Sequence, residues 1–198
     1  MFARTDRLML RPSWPEDAEA IRSAISDEAI VRNLASAPWP YRAQDARQFA
    51  AIQHDVCYPN FLLFQRTDGP PRLIGSCGIG NRAGQAELRY WIARPYWGLG
   101  YASEAAGAVV GIAAAIGHRH LIAGHFTDNT ASGSVLYKVG FHATGRVEMR
   151  YSKGRGRTAP CALYERSLSA KDAGDMANAR RNMPMDYLTP YDAQLIAA

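Results

Sequence analysis

The sequence predicts an α+β protein: a mixed, mostly antiparallel central sheet with helices on both faces. Three observations carry that expectation. Residues 60–93 hold three strand-like runs joined by two short turns, which makes an antiparallel meander. A helix-like stretch follows the last of these runs, and then another strand-like run at 120–126. A strand–helix–strand step of that length demands a parallel crossover. Further helical patterns stand before the meander and after the crossover, so both faces of the sheet have helices to cover them.

Each element has its own signal. Residues 5–12 alternate, with Leu8 and Leu10 on one face and Arg7, Met9 and Arg11 on the other, until Pro12 ends the strand. Glu16 and Asp17 open a helix whose apolar stripe is Ala18, Ile21, Ala24 and Ile25. A second, short helix is expected over 27–34. Pro38 and Pro40 force 37–41 into a loop. A third amphipathic helix is expected over 43–57, with Ala46, Phe49, Ala50 and Val56 facing inward. The meander strands are 60–65, 73–79 and 85–93, divided by the turns 67–71 and 81–84. Residues 105–116 read as an apolar helix, 120–126 as the fifth strand, and 129–139 as a helix stopped by Gly140. Residues 141–149 and 161–168 are the last two strands. One domain therefore spans 1–168, and 169–198 is a C-terminal extension with one short helix expected near 171–181.

Composition narrows the functional classes. The formal net charge of +5 is a mild positive field, suited to an anionic ligand but too weak to name one. Three cysteines, Cys57, Cys77 and Cys161, stand far apart without a C-x-x-C pair, which removes zinc-knuckle and thioredoxin-like readings. A reduced, cytoplasmic protein is the simplest expectation. The first residues lack an apolar signal core, and the apolar run 105–116 is too short to span a bilayer, so no membrane role is expected.

Chemistry concentrates where strand 85–93 gives way to the next helix. Gly98, Gly100 and Ser103 sit at that junction. A helix start offers free backbone N–H groups and the positive end of the helix dipole, and glycines let an anion approach closely. A dinucleotide fingerprint would need a third glycine where Ser103 stands, in an opening parallel βαβ unit. A phosphate-binding Walker loop would need Gly-Lys-Ser/Thr, which is missing. Tight strand-to-helix packing explains one glycine; two glycines plus a hydroxyl favour an anion site.

These residues carry a family resemblance. The stretch from Arg94 to Ala105 resembles the cofactor motif of the GNAT superfamily of acetyl-CoA-dependent N-acetyltransferases. Leu73-Ile74-Gly75 resembles that family's third strand. Asp128 to Ser132, followed by Leu136 to Phe141, resembles its fourth-helix motif. Trp39-Pro40-Tyr41 with Gln44-Asp45-Ala46, and Tyr96 to Ala105, are similar to the branch containing ribosomal-protein alanine and serine N-terminal acetyltransferases. The likeness runs from Thr5 to Leu168. One departure is Pro95, where the superfamily pattern has Gln or Arg.

The resemblance implies a sheet splayed between strands four and five, with acetyl-CoA as co-substrate in the splay and no metal. It implies pyrophosphate on Gly98, Leu99, Gly100, Tyr101, Ala102 and Ser103, and main-chain contacts to pantetheine from Ile92 and Ala93. Asn129 and Ser132 would bond the cofactor side, and both also suit a helix start. Glu87 is the candidate general base, or else an exposed strand residue paired with Arg82 or Arg89. Tyr137 is the candidate acid at the cofactor sulfur, or else a helix-to-core aromatic. Trp39 and Tyr41, with Trp14 and Tyr151, are placed on the acceptor side. The expected acceptor is an amine, foremost the α-amine of a protein or peptide. A small-molecule amine acetyltransferase and a non-catalytic acyl-CoA-binding module are the alternatives, in a monomer or homodimer.

Other clusters carry less. His118 and His120 lack a third ligand nearby, so exposed turn histidines are expected. The basic run Lys153 to Arg157, with Arg150, reads as a solvated turn or as a contact for an acidic partner or RNA. Only Tyr151 could stack a base there, so nucleic acid is not the expected partner.

Overall fold

The computed structural model describes residues 1–173. Eight strands, β1 (Ala3–Arg4), β2 (Leu8–Arg11), β3 (Asn60–Gln65), β4 (Arg72–Arg82), β5 (Gln85–Ile92), β6 (His120–Phe126), β7 (His142–Ser152) and β8 (Arg157–Ser167), form one sheet. Its order is β1-β2-β3-β4-β5-β6-β8-β7. Every neighbouring pair is antiparallel except β5 with β6, the crossover the sequence demanded. Among the described residues five complete α-helices accompany it: α1 (Ala18–Ile25), α2 (Glu28–Val31), α3 (Ala43–Ala50), α4 (Tyr101–Ala115) and α5 (Thr130–Lys138).

Two apolar cores lie on opposite faces of the sheet. On β3, Phe61 and Leu63 join the core under α4, while Leu62 and Phe64 join the core under α1 to α3. A strand covered on both faces reads as an unbroken apolar run, as Phe61 to Phe64 does. The same alternation on β5 sends Leu88 and Ile92 to α4, and Trp91 and Ala93 to α1–α3. Ile21 and Ile25 of α1 are buried as its stripe predicts. Helix α4 is apolar nearly all round and eight of its residues are buried.

The decisive feature is a parting of strands. β5 and β6 share one bridge, Glu87 with Ile122, and then diverge. Beyond that bridge β6 runs beside β8 along its whole length. The central sheet therefore opens into a V, as the resemblance implies.

Some boundaries move. The third helix ends at Ala50 rather than 57, and Val56 is exposed rather than inward. Asp55 holds the following residues in a turn instead: its side chain takes the Cys57 N–H at 2.7 Å, a local bond that competes with helix there. Helix α4 begins at Tyr101, four residues before the apolar run, and β7 and β8 extend to the hairpin turn. Past Ser169, residues 170–173 start a helical turn, with Asp172 accepting the Ser169 N–H. The rest of the helix expected near 171–181 lies outside the described residues. Among the described residues no helix is long and apolar enough to cross a membrane.

Candidate active site

The open V exposes one edge of β5. Ala93 donates its N–H to Ile74 on β4 at 2.7 Å. Main-chain groups alternate sides along an antiparallel ladder, so those of Ile92 and Tyr90 face the gap that β6 has left. Trp97 confirms the direction, since its indole N–H reaches the Ile92 carbonyl from that side at 2.7 Å. Ile92 thus turns its main chain to the open gap. Ala93, also expected there, does not: its N–H is spent on β4 and its side chain is buried. The main chain of Tyr90, two residues before Ile92, faces the gap instead.

At the mouth of the V lies the glycine turn. Gly98 and Gly100 adopt φ of 76° and 83°, left-handed values that cost most residues about 1–2 kcal/mol. Gly100 caps α4, and Gly98, Gly100, Tyr101, Ala102 and Ser103 all line the cleft. Among the described residues no protein acceptor takes the N–H groups from Gly98 to Ser103. Orphan main-chain donors at a helix start are an arrangement that can accept an anion. Leu99 serves otherwise: its carbonyl accepts from Arg7 at 2.9 Å, and its side chain is exposed outside the cleft. Arg7 lies over the Tyr101 ring and pairs with Glu104 in the first turn of α4. It is the cation nearest the turn, whereas Arg94 turns away to Asp27. Sequence reading missed Arg7 because it sits on the loop before β2, far from the motif.

Helix α5 forms the opposite wall. Asn129 caps it by accepting the Ser132 N–H, and both residues line the cleft. The Tyr90 hydroxyl meets Ser132 Oγ at 2.7 Å and donates to its carbonyl at 3.0 Å, tying β5 to α5 across the V. Burial pushes the Tyr90 phenol up, and the Ser132 bond offsets part of that. Tyr137 does not join them. Its side chain is 74% exposed and outside the cleft, while Leu136 turns into the core. One residue is about 100° of helix, and that rotation takes Tyr137 away from the site.

The other face of β5 presents Glu87, 3% exposed. Its Oε2 accepts from Arg89 Nε at 2.7 Å. Its Oε1 lies 2.9 Å from Arg150 and 3.9 Å from Arg82, yet neither is aligned as a hydrogen bond. Arg82 and Arg150 also pair with Glu148. Glu87 is therefore both the cleft carboxylate and the partner of the strand arginines, and it is buried rather than exposed. Tyr41 lines this side, its phenol pushed up to about 12 by burial and by the nearby Asp45 carboxylate. Tyr151 lines it too. Trp39 and Trp14 do not: Trp39 lies outside the cleft, and Trp14 stacks on Arg11.

The basic hairpin proves to be a strap. Arg155 donates to both Asp128 oxygens at 2.7 and 2.8 Å, to the Arg32 carbonyl at 2.6 Å and to Asn33 at 3.2 Å, over the Phe126 ring. Ser152 Oγ donates to the Leu34 carbonyl and Lys153 N–H to that of Ala35. The hairpin roof is thus fixed to the loop that follows α2 and to the turn before α5. His118 and His120 face Cys57 and Glu165 respectively. Among the described residues no group of three His, Cys, Asp or Glu side chains is placed to hold a metal.

One cleft of about 1430 Å³ runs from the glycine turn past Glu87 to Tyr41 and the hairpin. Residues 7–142 match the acetyltransferase (GNAT) domain. The chain belongs to the GNAT family. This GNAT chain is 32% identical over 150 residues to YoaA of Bacillus subtilis (strain 168), an uncharacterized N-acetyltransferase, covering 71% of this chain and 82% of YoaA. Among solved structures it resembles RimL, a ribosomal L7/L12 alpha-N-protein acetyltransferase in complex with coenzyme A. The TM-score is 0.70 at 19% identity, covering 87% of this chain and 99% of RimL. The microcin C7 self-immunity acetyltransferase MccE, in complex with acetyl-CoA and AMP, gives 0.68 at 16% identity, covering 83% of this chain and 94% of MccE. At those identities the likeness establishes the GNAT fold alone. The protein is an acetyltransferase, and acetyl-CoA is the co-substrate its family implies. The orphan N–H groups and the open β5 edge suit that molecule's pyrophosphate and pantetheine.

Proposed function

We propose that the protein transfers an acetyl group directly from acetyl-CoA to the α-amine of a protein or peptide. The observation that carries this reading is the continuity of the cleft. Main-chain donors stand at one end, a buried carboxylate at the apex of the V, and an open, aromatic-lined end lies beyond. At about 1430 Å³ it exceeds the roughly 300–1,000 Å³ of an ordinary small-ligand pocket, leaving room for two substrates at once.

In the proposed reaction the pyrophosphate rests on Gly98, Gly100 and Ser103, and pantetheine pairs with Ile92 and Tyr90. Asn129 and Ser132 face it from α5. The amine nitrogen bonds to the acetyl carbon and the carbon–sulfur bond breaks. The amine proton passes to Glu87 Oε1, the oxygen no aligned donor uses, directly or through water. An α-amine, with a pKa of about 7.7–8.0 against about 10.4 for lysine, asks little of that base. The thiol's pKa of about 8.5 lets sulfur leave without the acid once expected of Tyr137. All three cysteines are free thiols, in keeping with a reducing, cytoplasmic setting. Thiol release from acetyl-CoA, measured with N-terminal peptides, lysine peptides and small amines, tests the proposal. Peptides acetylated only at the amino end support it; transfer confined to small amines or lysine side chains overturns it.

A further inference from the structure

The floor of the acceptor side carries more cation than the proton transfer requires. Alternation along β4 and β5 places Gly80, Arg82, Glu87 and Arg89 on the face under α1–α3, away from α4 and the cofactor edge. Arg150 reaches the same floor from β7. Three guanidiniums there meet two carboxylates, Glu87 and Glu148, leaving one positive charge. Arg89 is the uncommitted member. Its Nε is spent on Glu87, neither Nη has an acceptor among the described residues, and half its side chain is exposed into the cleft. Gly80 makes space for it: a Cβ there would come within 2.5 Å of the guanidinium carbon. The floor thus seats a planar donor fork flat on the sheet, with its two outer donors open. Lys153 lines the cleft from the hairpin above, while Asp45 and Asp55 stand on the α3 side.

We propose that this fork selects the acceptor, which is an acidic peptide: one bearing carboxylates on the residues next to its free α-amine, gripped by Arg89 with Arg82 and Arg150 behind it. The inference rests on the acetyl-transfer reading above and adds the substrate class. Glu87 and Arg89 lie two residues apart on one strand face, about 7 Å. With the amine at Glu87, an extended peptide brings to the fork whichever of its second and third side chains faces the floor, since neighbouring side chains alternate sides. Arginine presents two parallel donors to a carboxylate, a geometry lysine cannot match.

Calorimetry on the coenzyme A-loaded protein tests this with two hexapeptides, identical except for Glu or Gln at the second and third positions. The acidic peptide is expected to bind about tenfold tighter or more, as a charge-assisted bond would give. Arg89→Gln should erase that preference, Arg89→Lys should restore only part of it, and coenzyme A affinity should hold in both. Arg72→Gln, an exposed charge at the far end of β4, should keep the preference. Equal affinities in the wild type, or a preference surviving Arg89→Gln, overturns the proposal. Thiol release with the same peptides judges transfer separately. An acidic preference in binding without transfer retires the acetyl-transfer reading and leaves the anion subsite standing; transfer without preference retires the subsite alone.

Discussion

The two walls of the cleft are built from different materials. The cofactor wall, β5's open edge with the starts of α4 and α5, offers mostly main-chain groups: the orphan N–H donors from Gly98 to Ser103 and the edge at Tyr90 and Ile92. The acceptor wall offers side chains: Glu87 among three arginines, Tyr41 beside Asp45, and a hairpin strapped down by Arg155. A main-chain site needs only glycines, caps and a splayed strand, all of them local. A side-chain site needs partners gathered from β4, β5, β7, α3 and the loop that follows α2. The first material suits a constant ligand and the second an acceptor that differs from one relative to the next.

Substitutions can separate the walls. The largest effect is expected from Glu87→Gln, which removes the proposed proton acceptor at the apex. Turnover should fall about 100-fold or more while acetyl-CoA affinity stays within twofold, checked by thiol release beside calorimetry. A variant with wild-type turnover would remove Glu87 from the chemistry.

Next comes the strap. Arg155→Met discards four hydrogen bonds and frees the hairpin roof. Stability should drop by about 1–3 kcal/mol and the acceptor KM should rise about fivefold, with acetyl-CoA binding little changed. Denaturant melts and steady-state kinetics read both, and equal losses for the two substrates would mean the walls are not independent.

Acid should loosen the ion-paired corners of both walls before the apolar core. The Arg155 fork holds Asp128 below its usual range despite some burial, with Arg32 assisting. Burial pushes Asp17 up, yet Arg11 and the Trp14 N–H more than offset it, so it too is lowered. Carboxylates lowered in the folded state contribute stability fully above their unfolded value, about 3.9, and lose it as pH falls through the folded value. Burial likewise pushes Glu104 up, yet Thr5 and Arg7 more than offset it, so the first turn of α4 shares this loss. Hydrogen exchange should therefore show the hairpin, the β2–α1 corner and that first turn loosening below about pH 4 before the buried middle of α4 does. Simultaneous loss would contradict that order.

The smallest effect is expected at Tyr137→Phe, which should leave turnover within twofold because the hydroxyl lies outside the cleft. A large loss would restore the acid role.

That last residue illustrates what the chain could disclose beforehand. The meander, the parallel crossover and the glycine turn were legible because their signals are contiguous: turn residues between strands, Gly98 and Gly100 before an apolar helix, Asn129 at a cap. Tyr137 was misplaced by one helical position, a rotation that element existence alone does not resolve. Trp39 was expected beside Tyr41, yet neighbouring loop residues need not face the same way. Arg155 looked solvated because its partners, Asp128 and the Arg32 carbonyl, lie far off in sequence, the latter 123 residues away. Glu87's surroundings were half visible: Arg82 and Arg89 are near it in the chain, but Arg150 arrives from another hairpin.

The most direct test of the two-wall account is acetyl-CoA titration, by calorimetry, of the wild type, Gly98→Val and Glu87→Gln. A Cβ at Gly98 meets no protein atom within 4 Å but forces a branched residue to φ of 76°. The account predicts one-to-one binding by the wild type and by Glu87→Gln, and affinity at least tenfold weaker for Gly98→Val. Wild-type protein that fails to bind, or Gly98→Val that binds as well as Glu87→Gln, would contradict it.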